Sequence, residues 1–454
     1  MPSKSPEILI VGAGLAGSLL SVYLAQMGFK VSVYERRPDM RKVNIDAGKS
    51  INLALSTRGI YALKEIGLES EILKQVIPMR GRMIHSLDGP LTLQPYSINE
   101  DDVINSVSRS QLNMILTTVA EDSGNVQFHF NQKCEGIDFD SIELRFCEEK
   151  SGNVHTVSAE VVIAADGANS AIRMAMQKMD RFNFSQTYLE HGYKELSIPP
   201  ASDGGSSLEK NVLHIWPRKS FMMIALPNLD GTFTCTLFLP FEGDIGFSSL
   251  NEKHKVQNFF ESQFPDAVPL MPSYLQDYFH NPTGSLATVK CHPWKFGNKV
   301  LLLGDSAHAI VPFFGQGMNC AFEDCTYLIE TIKQFGTNWG KVFSEYQRLR
   351  KTDTDAIGEM ALENFVEMRD SVTDQAFQRK KEAEMLLENQ YPDRFRSRYA
   401  MVTFTRMPYS EAMKKGKIQG EVLMKGCSQI NSIDELNLDE IMAEIELRFR
   451  KNYP

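Results

Sequence analysis

Between residues 8 and 35 a β-branched run, a glycine-rich turn and a helix follow one another with hardly a spare residue. Ile8-Leu9-Ile10-Val11 leads into Gly12-Ala13-Gly14-Leu15-Ala16-Gly17. Apolar residues at helical spacing follow at Leu15, Leu19, Leu20, Tyr23 and Leu24, and a second run, Val31-Ser32-Val33-Tyr34, ends at Glu35. This is G-x-G-x-x-G between a strand and a helix, with an acid about 20 residues further on. Gly12 allows the tight turn, Gly14 lets the backbone approach a pyrophosphate, and Gly17 lets the helix pack on the strand. The free N–H groups at Leu15 and Ala16 face the phosphates with the positive end of the helix dipole. Glu35 accepts from ribose hydroxyls, so the segment predicts a dinucleotide site. An acid at 35 disfavours a 2′-phosphate, although Arg36 and Arg37 follow it.

Composition removes several other classes. Charged residues are 23% of the 454-residue chain and the hydrophobic set is 43%, the balance of a globular protein. At about 150 residues per domain the length suggests ~3 folding units. The net charge of -9, with no basic run, makes a poor nucleic-acid binder. Seven cysteines with no C-x-x-C pair read as reduced thiols, and no metal cluster is expected. No stretch reaches the ~18 apolar residues of a membrane span. Lys4 followed by residues 8 to 27 imitates a secretory signal, but the glycines break it. Gly48-Lys49-Ser50 imitates a P-loop, but the first glycine of that motif falls on Val43.

Two later segments decide which dinucleotide. Val161-Val162-Ile163-Ala164-Ala165-Asp166-Gly167 precedes Arg173. Val300-Leu301-Leu302-Leu303-Gly304-Asp305-Ser306-Ala307-His308 runs on to Pro312-Phe313-Phe314-Gly315-Gln316-Gly317-Met318-Asn319. Both are apolar strands ending beside an acid, and open parallel sheets bind ligands at the carboxyl ends of strands. Asp166 and Asp305 should therefore share an edge with Gly12 to Gly17. This trio resembles the class A flavoprotein monooxygenases, the p-hydroxybenzoate hydroxylase-like family. The resemblance implies FAD, with its ADP half on the first motif and its ribityl chain on Asp305. It gives Asp166 a structural and nicotinamide-related role. It places Ala54, Arg109 (after Ser108) and Cys134 beside the cofactor. Gly317, Met318 and Asn319 open a helix whose dipole would stabilise anionic reduced flavin. His308 reads as a base or as a structural residue beside the flavin loop. With one G-x-G-x-x-G and no second nucleotide fold, FAD should stay bound, tightly and non-covalently, while NADPH visits transiently.

The expected fold is α/β, a Rossmann-like FAD-binding domain over 1-180 and 283-340. An antiparallel sheet over 181-282, joined by strands from 75-106, forms a substrate domain. Its strands include Tyr193–Ile198, Leu213–Trp216, Phe221–Leu226 and Phe233–Leu239. A helical region over 341-454, broken near Tyr391-Pro392, closes the substrate pocket. Further stretches resemble the kynurenine 3-monooxygenase family: Lys49–Ser56, Met79-Arg80-Gly81-Arg82-Met83, Leu93-Gln94-Pro95-Tyr96, His191–Glu195, Glu363-Asn364-Phe365-Val366-Glu367-Met368 and Arg398–Phe404. They span nearly the whole chain. The resemblance implies that Arg82, Tyr96, Asn364 and Tyr399 hold the amino-acid end of L-kynurenine. An arginine suits a carboxylate because its planar fork makes two-point contact. Met222, Phe238, Pro312, Phe313, Phe314 and Met368 are expected to wall the pocket. The implied reaction is NADPH- and O2-dependent 3-hydroxylation through a flavin C4a-hydroperoxide, with no side chain as acid or base. A related hydroxylase of a phenol or benzoate, or a non-catalytic flavin-binding protein, is the alternative. Eukaryotic members carry a C-terminal membrane anchor. This chain ends without one and resembles the soluble, cytoplasmic bacterial form, with no nucleic-acid partner and a homodimer left open.

Overall fold

A computed structural model describes residues 8–43, 52–368 and 375–452. Lys4, Gly48-Lys49-Ser50 and the first part of the Lys49–Ser56 stretch lie outside the described residues. Seven of the strands, in chain order, are β1 (Ile8–Val11), β2 (Val31–Glu35), β3 (Gly81–His85), β4 (Leu91–Pro95), β5 (Val126–Phe130), β6 (Val161–Ala164) and β7 (Asn183–Ile198). Six more are β8 (Leu213–Arg218), β9 (Phe221–Pro227), β10 (Phe233–Pro240), β11 (Gly284–His292), β12 (Lys295–Phe296) and β13 (Val300–Leu302). The helices used below are α1 (Leu15–Gln26), α2 (Arg109–Asp122), α3 (Lys253–Gln263), α4 (Tyr274–His280) and α5 (Gly317–Phe335). They continue with α6 (Trp339–Val366), α7 (Gln375–Gln390), α8 (Arg398–Thr403), α9 (Tyr409–Cys427) and α10 (Leu438–Asn452).

The chain divides into two compact units. The first comprises Met1–Gln75, Val107–Tyr188 and Ala287–Gly358. Its six-stranded sheet has the order β12-β13-β6-β1-β2-β5. β1 runs parallel to β2 and β6, β6 parallel to β13, and β2 parallel to β5. β1, β6 and β13 are buried throughout, which is why they read as continuous apolar runs. Parallel pairing carries Gly12, Ala165 and Leu303 to one sheet edge, as expected from the sequence.

The second unit comprises Val76–Ser106, Leu189–Leu286 and Glu359–Pro454. Its seven-stranded sheet has the order β11-β7-β10-β9-β8-β3-β4. Alternation assigns the faces. Trp216, Met223, Ala225, Cys235, Leu237 and Leu196 form one buried cluster with Phe259 and Phe260 of α3 and Tyr274 and Tyr278 of α4. The register sets Arg82 against Leu213, and Pro217 against Met222, which pairs in turn with Phe238. Arg82, Met222 and Phe238 therefore share the other face. A second cluster, with Leu387, Phe395, Leu423 and Ile445, holds α7, α9 and α10 together. The helices after residue 358 group with this sheet, where the sequence divided the chain in three. Among the described residues no helix is long and apolar enough to cross a membrane.

Candidate active site

A cavity of about 530 Å³ opens at the carboxyl edge of the parallel sheet. That volume is within the range of small-molecule sites. Gly12, Gly14, Leu15 and Ala16 line it from the β1–α1 turn, and Glu35, Arg36 and Arg37 from the end of β2. Arg109 comes from the start of α2, Asp166 follows β6, and Asp305 follows β13. Cys134, Gly317 and Met318, also named from the sequence, line it as well.

The turn is built for close approach. Gly12 has φ +101, and a Cβ there would sit 2.5 Å from the Ala165 carbonyl oxygen. A Cβ on Gly17 would sit 2.0 Å from the Gly12 oxygen, so α1 packs against its own entry turn only as glycine. At Gly14 a Cβ would meet nothing within 4 Å. That position is open towards the cavity and leaves room for a ligand to approach the backbone.

Glu35 accepts from Ala13 N–H at 2.8 Å through Oε2, and from the Arg37 amide and Nε through Oε1. Burial pushes its pKa up, but these bonds and the Arg37 charge outweigh it and hold the carboxyl below its usual range. An ionised carboxylate has about four acceptor positions, so capacity remains for ribose hydroxyls. Asp166 is spent differently. It accepts from Ala171 N–H and Ser306 Oγ, and Ser306 Oγ accepts from Gly167 N–H. It thus pins the two strand-end loops together. Asp305 faces the cavity; burial raises its pKa, against the pull of His308 and Arg109. Burial lifts the Cys134 thiol to about 12, which keeps it uncharged.

Three named residues stand behind the wall. Gly17 belongs to the packing of α1. Asn319 Nδ2 donates to the carbonyls of Ala54 and Gly315, and its Oδ1 accepts from Ser56 N–H. Asn319 and Ala54 thereby lace the strand Asn52–Leu55 to the start of α5, leaving Gly317 and Met318 on the cavity.

Behind α5 lies a buried ionic network that the sequence reading missed. Arg350 Nη1 donates to Glu323 at 2.7 Å and its Nε to Asp324 at 2.7 Å. Arg58 joins Glu323 at 2.6 Å, and His308 Nε2 joins Asp324 at 2.6 Å. His308 is therefore a structural residue tied to α5. Among the described residues only His308, Cys320 and Asp324 bring metal-ligating atoms together, and the Arg350 guanidinium already supplies the cation there.

In the second unit β3, the residue after β4, and α8 converge. The Arg82 guanidinium lies over the Tyr399 ring at 4.6 Å and the Tyr96 ring at 5.6 Å. Tyr96 and Tyr399 stack at 5.5 Å. Arg82 Nε and Tyr96 Oη are buried without a hydrogen bond of good geometry. Burial works against the Arg82 charge, but Tyr399, Tyr96 and Glu367 outweigh it and the group stays cationic. Burial pushes the Tyr96 hydroxyl up, so it stays protonated. α8 is fixed by Ser397, whose Oγ accepts from Ala400 N–H, and by Arg398, which pairs with Glu363 and packs on Gly416. Asn364, on α6, is buried and donates to Met368 Sδ at 3.3 Å. Glu367 pairs with Lys381 at 3.0 Å and Arg398 at 3.7 Å. Burial would raise its pKa, but Lys381 and Lys380 hold it down at about 2. Glu367 and Lys381 extend the site beyond the residues named from the sequence; no spacing pattern links them to Arg82. Pro312, Phe313 and Phe314 form a short turn before α5 in the first unit.

Residues 5–351 match the family described as FAD binding domain. The kynurenine 3-monooxygenase of Myxococcus xanthus is 47% identical, over 99% of this chain and 98% of that protein. The kynurenine 3-monooxygenase of Dictyostelium discoideum is also 47% identical, with 98% of each chain covered. The chain belongs to the kynurenine 3-monooxygenase family. Its members are FAD-dependent monooxygenases, and this chain is one of them. The fold agrees at greater distance. 2-Methyl-3-hydroxypyridine-5-carboxylic acid oxygenase superposes with TM-score 0.65 at 19% identity, over 83% of this chain and 96% of that one. PqsL of Pseudomonas aeruginosa gives TM-score 0.64 at 17% identity, over 81% and 97%. The glycine cradle, the open position at Gly14 and the acids at the strand ends fit the family's cofactor.

Proposed function

We propose that this chain 3-hydroxylates L-kynurenine with NADPH and O2, and that Arg82, Tyr96, Asn364 and Tyr399 hold the amino-acid end of the substrate. The observation that carries this is the buried, cationic Arg82 guanidinium, whose Nε, like the neighbouring Tyr96 Oη, has no bond of good geometry and meets only loose contacts among Arg82, Tyr96 and Tyr399. Buried polar groups are nearly always bonded, so an orphaned donor pair calls for an acceptor. A carboxylate supplies acceptors and the matching charge. FAD, when bound, supplies electron transfer and oxygen activation. The residues that would hold it are those lining the cavity, with Gly14 and α1 on the phosphates, Glu35 on ribose and Asp305 on the ribityl chain. The start of α5 at Gly317 and Met318 presents a positive dipole end to it.

The chain's remaining task is orientation and dryness. Met222 and Phe238 stand on the sheet face that carries Arg82, and Met368 is buried against Asn364. They form an apolar wall beside the anchor, and water kept out there cannot intercept activated oxygen. Pro312, Phe313 and Phe314 belong beside the cofactor end through their place before α5.

The test is NADPH consumption by the flavin-loaded protein with and without L-kynurenine, following product mass and peroxide together. Stimulation with a product one oxygen heavier supports the proposal. Stimulation with peroxide alone refutes L-kynurenine as the substrate. No response from a yellow protein refutes the kynurenine reading while leaving the cofactor site intact.

A further inference from the structure

On the sheet face opposite Arg82 a chain of side chains runs from the exposed Asp266 into the buried sheet. Asp266 Oδ2 is 2.6 Å from His85 Nδ1, and His85 Nε2 is 2.9 Å from His214 Nδ1. His214 Nε2 is 2.8 Å from the Glu209 carbonyl oxygen. Trp216 Nε1 donates to both Asp266 oxygens at 3.0 Å, and its ring stacks on His85 at 4.0 Å. Both histidines are 2% exposed.

Donor and acceptor counting fixes the protons. A carbonyl only accepts, so His214 Nε2 carries a hydrogen. His214 is neutral, its pKa held down to about 4 chiefly by burial, so its Nδ1 accepts. His85 Nε2 must then donate. Asp266, held below its usual range by the bonds from His85 and Trp216 against burial, also accepts. His85 Nδ1 and Asp266 Oδ2, 2.6 Å apart, hold the remaining proton between them. Arg218 Nη1 donates to the His85 carbonyl at 2.9 Å, and Asp88 and Glu209 act on Arg218 and His214 in turn.

The position of this chain matters more than its chemistry. β3 carries both Arg82 and His85. It meets the rest of the sheet through three register pairs with β8, Arg82 with Leu213, Met83 with His214 and Ile84 with Ile215. β4 is the sheet edge and pairs with β3, and Tyr96 follows it directly. The hairpin holding two of the substrate's anchors thus hangs on β8, and the His85–His214 bond is a side-chain bolt across that joint.

We propose that the Asp266–His85–His214 chain is a positioning device for the substrate: it bolts β3 to β8 and so sets Arg82 and Tyr96. This rests on the reading of Arg82 as the carboxylate anchor. The bolt needs the Nε2 proton of His85, and Asp266 keeps the ring in register by closing on its Nδ1.

The test measures L-kynurenine dissociation constants by flavin absorbance, with KM and kcat, on the holoenzyme. Wild type, His85→Phe, His85→Gln, Asp266→Ala and Arg82→Met are compared. His85→Phe removes the donor to His214 and should weaken binding about tenfold, with kcat at saturation nearly constant and flavin retained. His85→Gln, whose amide can donate to His214 Nδ1, should recover most of that loss. Asp266→Ala, at the exposed end of the chain, should weaken binding in the same sense. Unchanged affinity in His85→Phe or in Asp266→Ala would overturn the inference, and the second decides the matter even if His85→Phe does not fold. If they bind like the wild type while Arg82→Met loses binding, the bolt alone falls. If Arg82→Met binds like the wild type, the anchor reading falls first.

Discussion

Replacing Arg82 by methionine keeps most of the aliphatic stem and its packing but removes the charged fork. In the structure that fork lies over two tyrosine rings, with Nε unmatched. A bound carboxylate would accept at least two charge-assisted bonds from it, each worth about 1.5–3 kcal/mol. Tyr96 and Tyr399 remain to bond the carboxylate in the variant, so the lower half of that sum applies, ~3–4 kcal/mol. At 1.4 kcal/mol per tenfold, the dissociation constant for L-kynurenine should rise about 140- to 700-fold. The cavity at the parallel sheet contains no residue of β3, so flavin should stay bound. Arg82→Lys keeps the charge and loses the two-point contact, and should fall between, at about tenfold. The assay is a titration of the oxidised holoenzyme with L-kynurenine, followed by flavin absorbance, beside steady-state KM and kcat. A rise of less than about fivefold for Arg82→Met would refute the argument, since one charge-assisted bond alone exceeds that. So would loss of flavin at unchanged substrate affinity.

Other outcomes follow from the same geometry. Gly14→Val should fold normally, because its side chain enters open space, yet purify without its yellow colour; Gly17→Ala, driven against the Gly12 oxygen, should lose on the order of 3 kcal/mol of stability in thermal unfolding. Arg350→Met leaves Glu323 and Asp324 buried without their shared cation and should cost about 3–5 kcal/mol in denaturant unfolding. His214, whose folded pKa of about 4 lies below the ordinary 6.5, binds its proton more readily when unfolded. Its contribution, about 3 kcal/mol at most, is complete above pH 6.5 and is lost as pH falls towards 4. Denaturant unfolding at pH 7 and 4.5 should show a smaller acid loss in His214→Gln, and an unchanged slope would contradict the assignment.

What could be read from the sequence was what local rules encode. Gly12, Gly14, Gly17 and Glu35 sit within one βαβ unit, where spacing alone implies geometry. Asp166 and Asp305 were placed by the rule that parallel strands share a ligand edge, which needs only that each be recognised as a strand end. Arg82, Tyr96 and Tyr399 came from resemblance, because no periodicity links β3 to α8. The partners of His85, Arg58 and Glu367 were not legible at all. A single charged or imidazole side chain carries no pattern, and each finds its counterion far along the chain. Asn319 and Ala54 show the converse limit. They lie beside motif residues, but Ala54 alternates with Leu53, which lines the cavity, and Asn319 turns from the helix to bond Ala54 and Ser56, so both lace strand to helix behind the wall.

The strand order of the parallel sheet also bears on synthesis. β1 leaves the ribosome first, but its neighbour β6 comes at residue 161 and β13 at residue 300. The cavity wall runs on to Ala321. A nascent chain therefore cannot grip its flavin until more than two thirds of it has been translated, and until then β6 presents an apolar edge with no strand to cover it. Loading of the cofactor is a late event in the life of each molecule, and fragments ending before β13 should aggregate before they can turn yellow.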